Sequence, residues 1–161
     1  GKNNFIFVGS SCDMWAKDIR QDWIDAVLDH CKMYQNDYLF QSKSPNRFEY
    51  LPISSIIGTT IETNRYLSDI MANAPVPLAR MDALLQKKYL KMVSIEPIMD
   101  FDLVTLVDWI KAIKPQFVSI GADSKGHKLP EPSGEKVKAL IENLQAITEV
   151  KVKHNLKRLF E

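Results

Sequence analysis

The stretch Leu90–Ile95, which reads LKMVSI, carries the pattern that decides the fold. It is a short apolar run with β-branched residues, which is typical of a buried strand. A helical pattern follows it, because apolar residues recur at helical spacing from Leu103 to Ile113, behind a potential N-cap at Asp102. The sequence therefore predicts one strand–helix unit over residues 90–113.

The same unit recurs along the chain. Five further apolar runs are predicted as strands, at residues 5–8, 38–40, 56–58, 117–120 and 150–152. Helical patterns lie between them at residues 23–34 and 137–147, the second behind an N-cap at Ser133, and Pro75 and Pro77 divide residues 65–87 into two helical pieces. Strands alternating with helices predict a parallel sheet in a single domain over residues 1–161, which suits a doubly wound sheet and a barrel equally well.

Composition bounds the function classes. With 45% hydrophobic and 25% charged residues the chain is typical of a globular protein, and its net charge of +1 gives no general attraction to nucleic acid or membranes. No apolar run approaches the roughly 20 residues that span a bilayer, so no membrane partner is expected. Cys12 and Cys31 do not make a disulfide framework, which favours a reducing, cytoplasmic location.

Polar clusters follow all six predicted strands. A single aspartate at a strand end is usually a turn residue or a helix cap. The carboxyl ends of parallel strands, however, lie on one side of the sheet, where ligands bind. Six polar ends together therefore predict a functional pocket. Its candidate residues, in chain order, are Ser10, Ser11, Asp13, Lys43, Thr60, Glu62, Glu96, Asp123 and Lys153.

Several of these candidates have a plainer alternative. Glu96 either faces the mouth of the barrel or forms a structural ion pair, and Lys43 either holds an anion or is a surface lysine. Of Lys151 and Lys153, one is expected to point inward. The histidines and cysteines match no zinc or non-haem iron spacing, and no Gly-x-Ser-x-Gly elbow supports a hydrolase triad.

Five strand-end motifs in this order resemble the uncharacterised phage-associated radical S-adenosylmethionine family, which is distantly similar to spore photoproduct lyase. The motifs lie at residues 7–14, 40–45, 57–64, 93–98 and 118–124. The resemblance covers nearly the whole chain and implies a parallel (β/α) partial TIM-type barrel of about six strand–helix units. It also implies S-adenosylmethionine as cofactor and a 4Fe–4S cluster on a three-cysteine loop, whose chemistry yields a 5′-deoxyadenosyl radical.

The resemblance also implies roles for the strand-end residues. Ser10, Ser11 and Asp13 would meet the amino group of the cofactor's methionine part, and Lys43 its carboxylate. Thr60 and Glu62 would line the ribose. A last set is implied to face the substrate, which is a small molecule or a nucleic acid, and consists of Glu96, Asp123 and Lys153.

The cluster-binding loop of the family has no counterpart in this chain. We therefore expect an N-terminal segment outside this sequence, or another chain, to supply it. The open strand edges at residues 5–8 and 150–152 are both expected to pair, with that segment, another chain or a second copy.

Two functions from other classes remain open. The first is a non-catalytic binding or scaffold module on a degenerate barrel. The second is a metal-independent barrel lyase with a Schiff base at Lys43 or Lys153.

Overall fold

The computed structural model describes residues 1–160. Six parallel strands form one sheet in chain order, and the sheet curls into a half-barrel with helices between the strands. The strands are β1 (Phe5–Val8), β2 (Asp37–Gln41), β3 (Ser55–Thr60), β4 (Leu90–Ile95), β5 (Phe117–Ile120) and β6 (Glu149–Val152). The helices are α1 (Gln21–Lys32), α2 (Ser68–Met71), α3 (Pro77–Leu85), α4 (Leu103–Ile113) and α5 (Gly134–Gln145). Short 3-10 helices cover Pro45–Arg47 and His154–Leu159.

The predicted strand–helix alternation is confirmed. Three strands begin and end at the predicted residues, and the other three extend by one to three residues beyond the apolar run. Asp37 and Gln41 extend β2 because they pair in register with Phe5 and Gly58. Backbone pairing does not require an apolar side chain, so polar residues at strand ends escape a hydrophobicity pattern.

The core lies between the convex face of the sheet and the helices. Phe40 pairs in register with Ile57, and Val93 with Val118, and all four are completely buried. The helices contribute equally buried residues, among them Leu28, Leu106 and Leu140. Because side chains alternate across a strand, the residues between these core positions point to the concave face.

The two predicted helix caps differ. Ser133 precedes α5 and its hydroxyl accepts a hydrogen bond from the backbone N–H of Lys136. Asp102 occupies the N-cap position of α4 but makes no capping bond. Its carboxylate instead accepts hydrogen bonds from the guanidinium of Arg65 and from the amide of Asn64. A charged guanidinium binds a carboxylate more strongly than a backbone amide does, which explains the difference.

The sheet has one open edge at β1 and another at β6. Among residues 1–160, no helix combines the length and the hydropathy that crossing a membrane requires.

Candidate functional site

A cavity of about 530 Å³ lies on the concave face of the sheet. Its floor is a row of polar side chains in register across three strands, since Ser94 pairs with Ser119 and Ser119 with Lys151. Apolar residues, including Leu39, Met92 and Phe117, line its amino-terminal side. Four of the nine predicted site residues line this cavity, namely Ser10, Glu96, Asp123 and Lys153.

Glu96 and Lys153 form an ion pair in the cavity. The Lys153 ammonium contacts Oε2 of Glu96. The side chain of Lys153 is 51% exposed and that of Glu96 is 23% exposed, so water and ligands can reach both. The amide of Asn155 lies 3.5 Å from Oε1 of Glu96 and donates to the carbonyl of Ala122 at 2.8 Å. The pair therefore offers one anionic and one cationic group side by side.

Gly121 gives Glu96 the space that it occupies. A Cβ atom at this position would come within 2.6 Å of Oε1 of Glu96 and 3.1 Å of Oδ1 of Asn155. Real Cβ atoms do not approach other atoms so closely, so any side chain there would displace the carboxylate. Gly121, directly after β5, thus leaves room for the carboxylate of Glu96, directly after β4.

Asp123 is buried and orients a histidine. Its carboxylate accepts hydrogen bonds from the backbone N–H groups of Lys125 and His127, and Oδ1 lies 3.0 Å from Nδ1 of His127. The hydrogen bond from the His127 side chain, with those from the two backbone groups, lowers the pKa of Asp123 to about 2. The imidazole is 58% exposed and lines the cavity.

Thr60 and Glu62, which the resemblance assigns to the ribose, are both buried. Thr60 accepts a hydrogen bond from the amide of Gln41 at 3.0 Å, and it is Gln41 that lines the cavity. Glu62 is paired through both carboxylate oxygens, with the Lys43 ammonium on Oε1 and Arg80 at 2.7 Å on Oε2. Arg80 is completely buried and also donates to the carbonyls of Thr60 and Pro75.

Asp13 and Lys43 border a second cavity, of about 500 Å³. Asp13 accepts hydrogen bonds from the Ser42 hydroxyl at 2.7 Å and from the backbone N–H of Lys43 at 2.8 Å, which tie the loop after β1 to the end of β2. Ser11 is exposed in that loop. The structure thus divides the predicted cofactor-binding residues between two cavities and the buried network around Glu62, and leaves Ser11 outside all three.

The residues present do not fit an iron–sulfur cluster. Cys12 is exposed in the loop after β1, whereas Cys31 is buried in α1, and burial raises the pKa of its thiol. Within residues 1–160 no group of three histidine, cysteine or acidic side chains is placed to hold a metal ion. A cluster requires three or four thiolates at close spacing, which this part of the chain does not supply.

Sequence reasoning missed several residues that line or support the cavity: Gln41, Ser94, Ser119, His127 and Asn155. Strand alternation could have found the first three, since each lies on the same face as its cross-strand neighbour. The expectation that only one of Lys151 and Lys153 points inward is wrong: both line the cavity, because residues two apart on a strand lie on the same face. His127 carries a weaker signal, a histidine four residues after a strand-end aspartate.

Comparisons with models of protein families, with curated proteins and with solved structures found no match for this chain.

Proposed function

We propose that this chain is part of a radical-SAM-like enzyme and binds S-adenosylmethionine in the concave cavity. The observation that carries the proposal is the accessible Glu96–Lys153 pair at the carboxyl ends of β4 and β6. The amino-acid part of the ligand has an ammonium and a carboxylate on one carbon. When the ligand binds, its ammonium would replace Lys153 as the partner of Glu96, and its carboxylate would replace Glu96 as the partner of Lys153. Every charge therefore keeps a partner of opposite sign.

The rest of the cavity suits the remaining parts of the ligand. Ser94, Ser119 and Gln41 provide hydroxyl and amide groups for ribose and adenine, while Met92 and Phe117 provide apolar surface for the adenine ring. A volume of about 530 Å³ lies within the usual range for small-molecule sites. Asp123 contacts Nδ1 of His127 and so orients the imidazole, which lines the same cavity.

The chain's own residues contribute ligand binding, because the described residues lack the ligands of a cluster. Lys43, which the resemblance assigns to the methionine carboxylate, is paired with Glu62 and borders the other cavity. Lys153 is therefore the better partner for that carboxylate.

Isothermal titration with S-adenosylmethionine tests the proposal, with methionine and adenosine titrated separately. Lys153→Met removes the partner of the ligand carboxylate, and we expect the Kd to rise at least about tenfold, because hydrogen bonds to charged groups contribute roughly 1.5–3 kcal/mol. The control variant, Lys111→Met, alters an exposed lysine on α4 and should leave the Kd unchanged. No binding by the wild type, or equal binding by both variants, would contradict the proposal.

A second candidate is a non-catalytic module that binds a zwitterionic ligand. It is favoured by the lack of cluster ligands within residues 1–160. Methionine or another amino acid binding as tightly as S-adenosylmethionine would support it.

The lyase alternative requires a neutral lysine amine. Both candidate lysines, Lys43 and Lys153, instead contact a carboxylate. Borohydride trapping of a carbonyl compound on either lysine would revive that alternative.

A further inference from the structure

The β1 edge of the sheet carries an uncharged, apolar surface. Phe5, Ile6 and Phe7 are between 37% and 57% exposed, and no residue of β1 carries a charge. Exposed edge strands in natural proteins are usually protected by lysines, prolines or a covering segment. None of these protects β1 among the residues that the structure describes.

The apolar surface continues from β1 onto helix α1. Trp23 and Val27 on α1, with Tyr34 just after its end, form a stripe and are 58%, 39% and 44% exposed. A groove of about 570 Å³ runs between Val27 and Tyr34 of this stripe and the convex side of β1. The groove contains no lysine, arginine or carboxylate side chain. We call the strand and the stripe together the β1 face.

We propose that the β1 face is the interface of a two-fold dimer of this chain, in which β1 pairs antiparallel with β1 of a second copy. The face is apolar apart from His30 in the groove and Arg20, which lies 5.7 Å from the Trp23 ring and is paired with Asp22. Two copies therefore meet without net like-charge repulsion, which a two-fold contact requires. Continuous pairing would also satisfy the free backbone groups of the edge.

The backbone of β1 is in phase for this pairing. The carbonyl of Asn4 accepts a hydrogen bond from Asp37 of β2, at 2.9 Å. Backbone groups alternate sides along a strand, so those of Phe5 and Phe7 point away from β2. Antiparallel pairing centred on Ile6 places Phe5 of one copy opposite Phe7 of the other, as a hydrogen-bonded pair. Both phenylalanines then lie on the concave face and contact each other across the strands.

The area is sufficient for a weak, reversible dimer. The exposed parts of the side chains on the β1 face come to roughly 500 Å² per copy, taking 150–250 Å² for a whole aromatic side chain. About 1,000 Å² for both copies is the lower limit of a specific interface.

The β6 edge provides the matched control because it is charged, whereas the β1 strand is uncharged. Glu149 and Lys151 place charges on the strand, and the segment His154–Leu159 follows it directly, with Leu156 completely buried. Val152 is 45% exposed at this edge. A lysine there adds the same charge as a lysine on β1 without touching the proposed interface.

Sedimentation velocity of the wild-type chain over a wide concentration range tests the proposal. We expect reversible association to a dimer, a Kd raised at least tenfold in Phe5→Lys and in Trp23→Lys, and no change in Val152→Lys. Amide exchange gives a second readout, because the Phe5 and Phe7 amides are protected only when the edges pair. Circular dichroism verifies that each variant is folded.

Three outcomes would overturn the proposal. A wild-type chain that stays monomeric at every concentration would assign the β1 face to a different polypeptide segment. A dimer that persists in both Phe5→Lys and Trp23→Lys, or that dissociates in Val152→Lys, would place the interface elsewhere.

Discussion

Two ionic groups at the strand ends use the same residue types in different ways. Glu62, with Lys43 and Arg80, is buried at the ends of β2 and β3, and its carboxylate side chain is 4% exposed. Glu96 and Lys153 form an open pair at the ends of β4 and β6, where the carboxylate side chain is 23% exposed. A glutamate paired with a lysine at a strand end is thus part of the core in one case and ligand-accessible in the other.

The difference lies in what happens when the pair is broken. A buried charge that loses its partner is not hydrated by water. Replacing one member of a buried ion pair with a ligand therefore costs free energy. An exposed pair contributes at most about 1 kcal/mol to stability, so a ligand can replace it at low cost. Burial therefore separates the structural ion pair from the candidate binding group.

The largest expected effect is on stability, at the buried network. Glu62→Gln leaves the fully buried Arg80 without its anionic partner, and breaking a buried pair costs about 3–5 kcal/mol. Urea denaturation measures this loss. The matched change at the open pair, Glu96→Gln, should alter the free energy of unfolding by no more than about 1 kcal/mol. Equal losses in the two variants would remove the distinction between the clusters.

A smaller effect is expected on ligand affinity, through Gly121. In Gly121→Ala the new Cβ would lie 2.6 Å from Oε1 of Glu96, so the carboxylate must move away from its present position. We expect the Kd for S-adenosylmethionine to rise about tenfold, as for the loss of one charged hydrogen bond. Stability should change by less than about 1.5 kcal/mol, since the displaced atoms end a flexible side chain. Titration calorimetry and urea denaturation separate the two effects.

Unchanged affinity in Gly121→Ala, in a variant that folds normally, would show that the position of Glu96 does not govern binding.

The smallest effect concerns the loop after β5 and its dependence on pH. The hydrogen bond from the His127 side chain is the main cause that lowers the pKa of Asp123 to about 2. Because the pKa of Asp123 is lower in the folded loop than in an unfolded chain, the ionised carboxylate stabilises the folded loop at pH values above the ordinary aspartate pKa. This stabilisation is lost as the pH falls towards 2. Carbon-detected NMR should find the carboxyl titrating near pH 2, with the His127 amide protected until then.

A titration of Asp123 in the ordinary aspartate range would contradict the oriented Asp123–His127 arrangement. Asp123→Asn serves as the control, because it removes the titrating group and with it this pH dependence of the loop.

The strands could be predicted from the sequence because each is a local apolar run with a fixed period, as in Leu90–Ile95. The burial of Glu62 could not, since it depends on Arg80, which lies 18 residues away on α3 and reaches it only in the folded chain. The hydrogen bond between Asp123 and His127 also depends on the path of a loop. Asp102 lies at the helix N-cap position that the sequence predicts, but its carboxylate binds the distant Arg65 and does not cap the helix.

The strictly sequential order of the sheet has a consequence for how the chain folds. Each strand pairs only with the strands before and after it in the sequence, so every step of sheet assembly closes a short loop. Folding can then begin at an interior strand pair such as β2–β3, which has the shortest connection, and spread outwards one unit at a time, as in a linear repeat protein. On this view β1 and β6 are the last strands to form and the first to be lost.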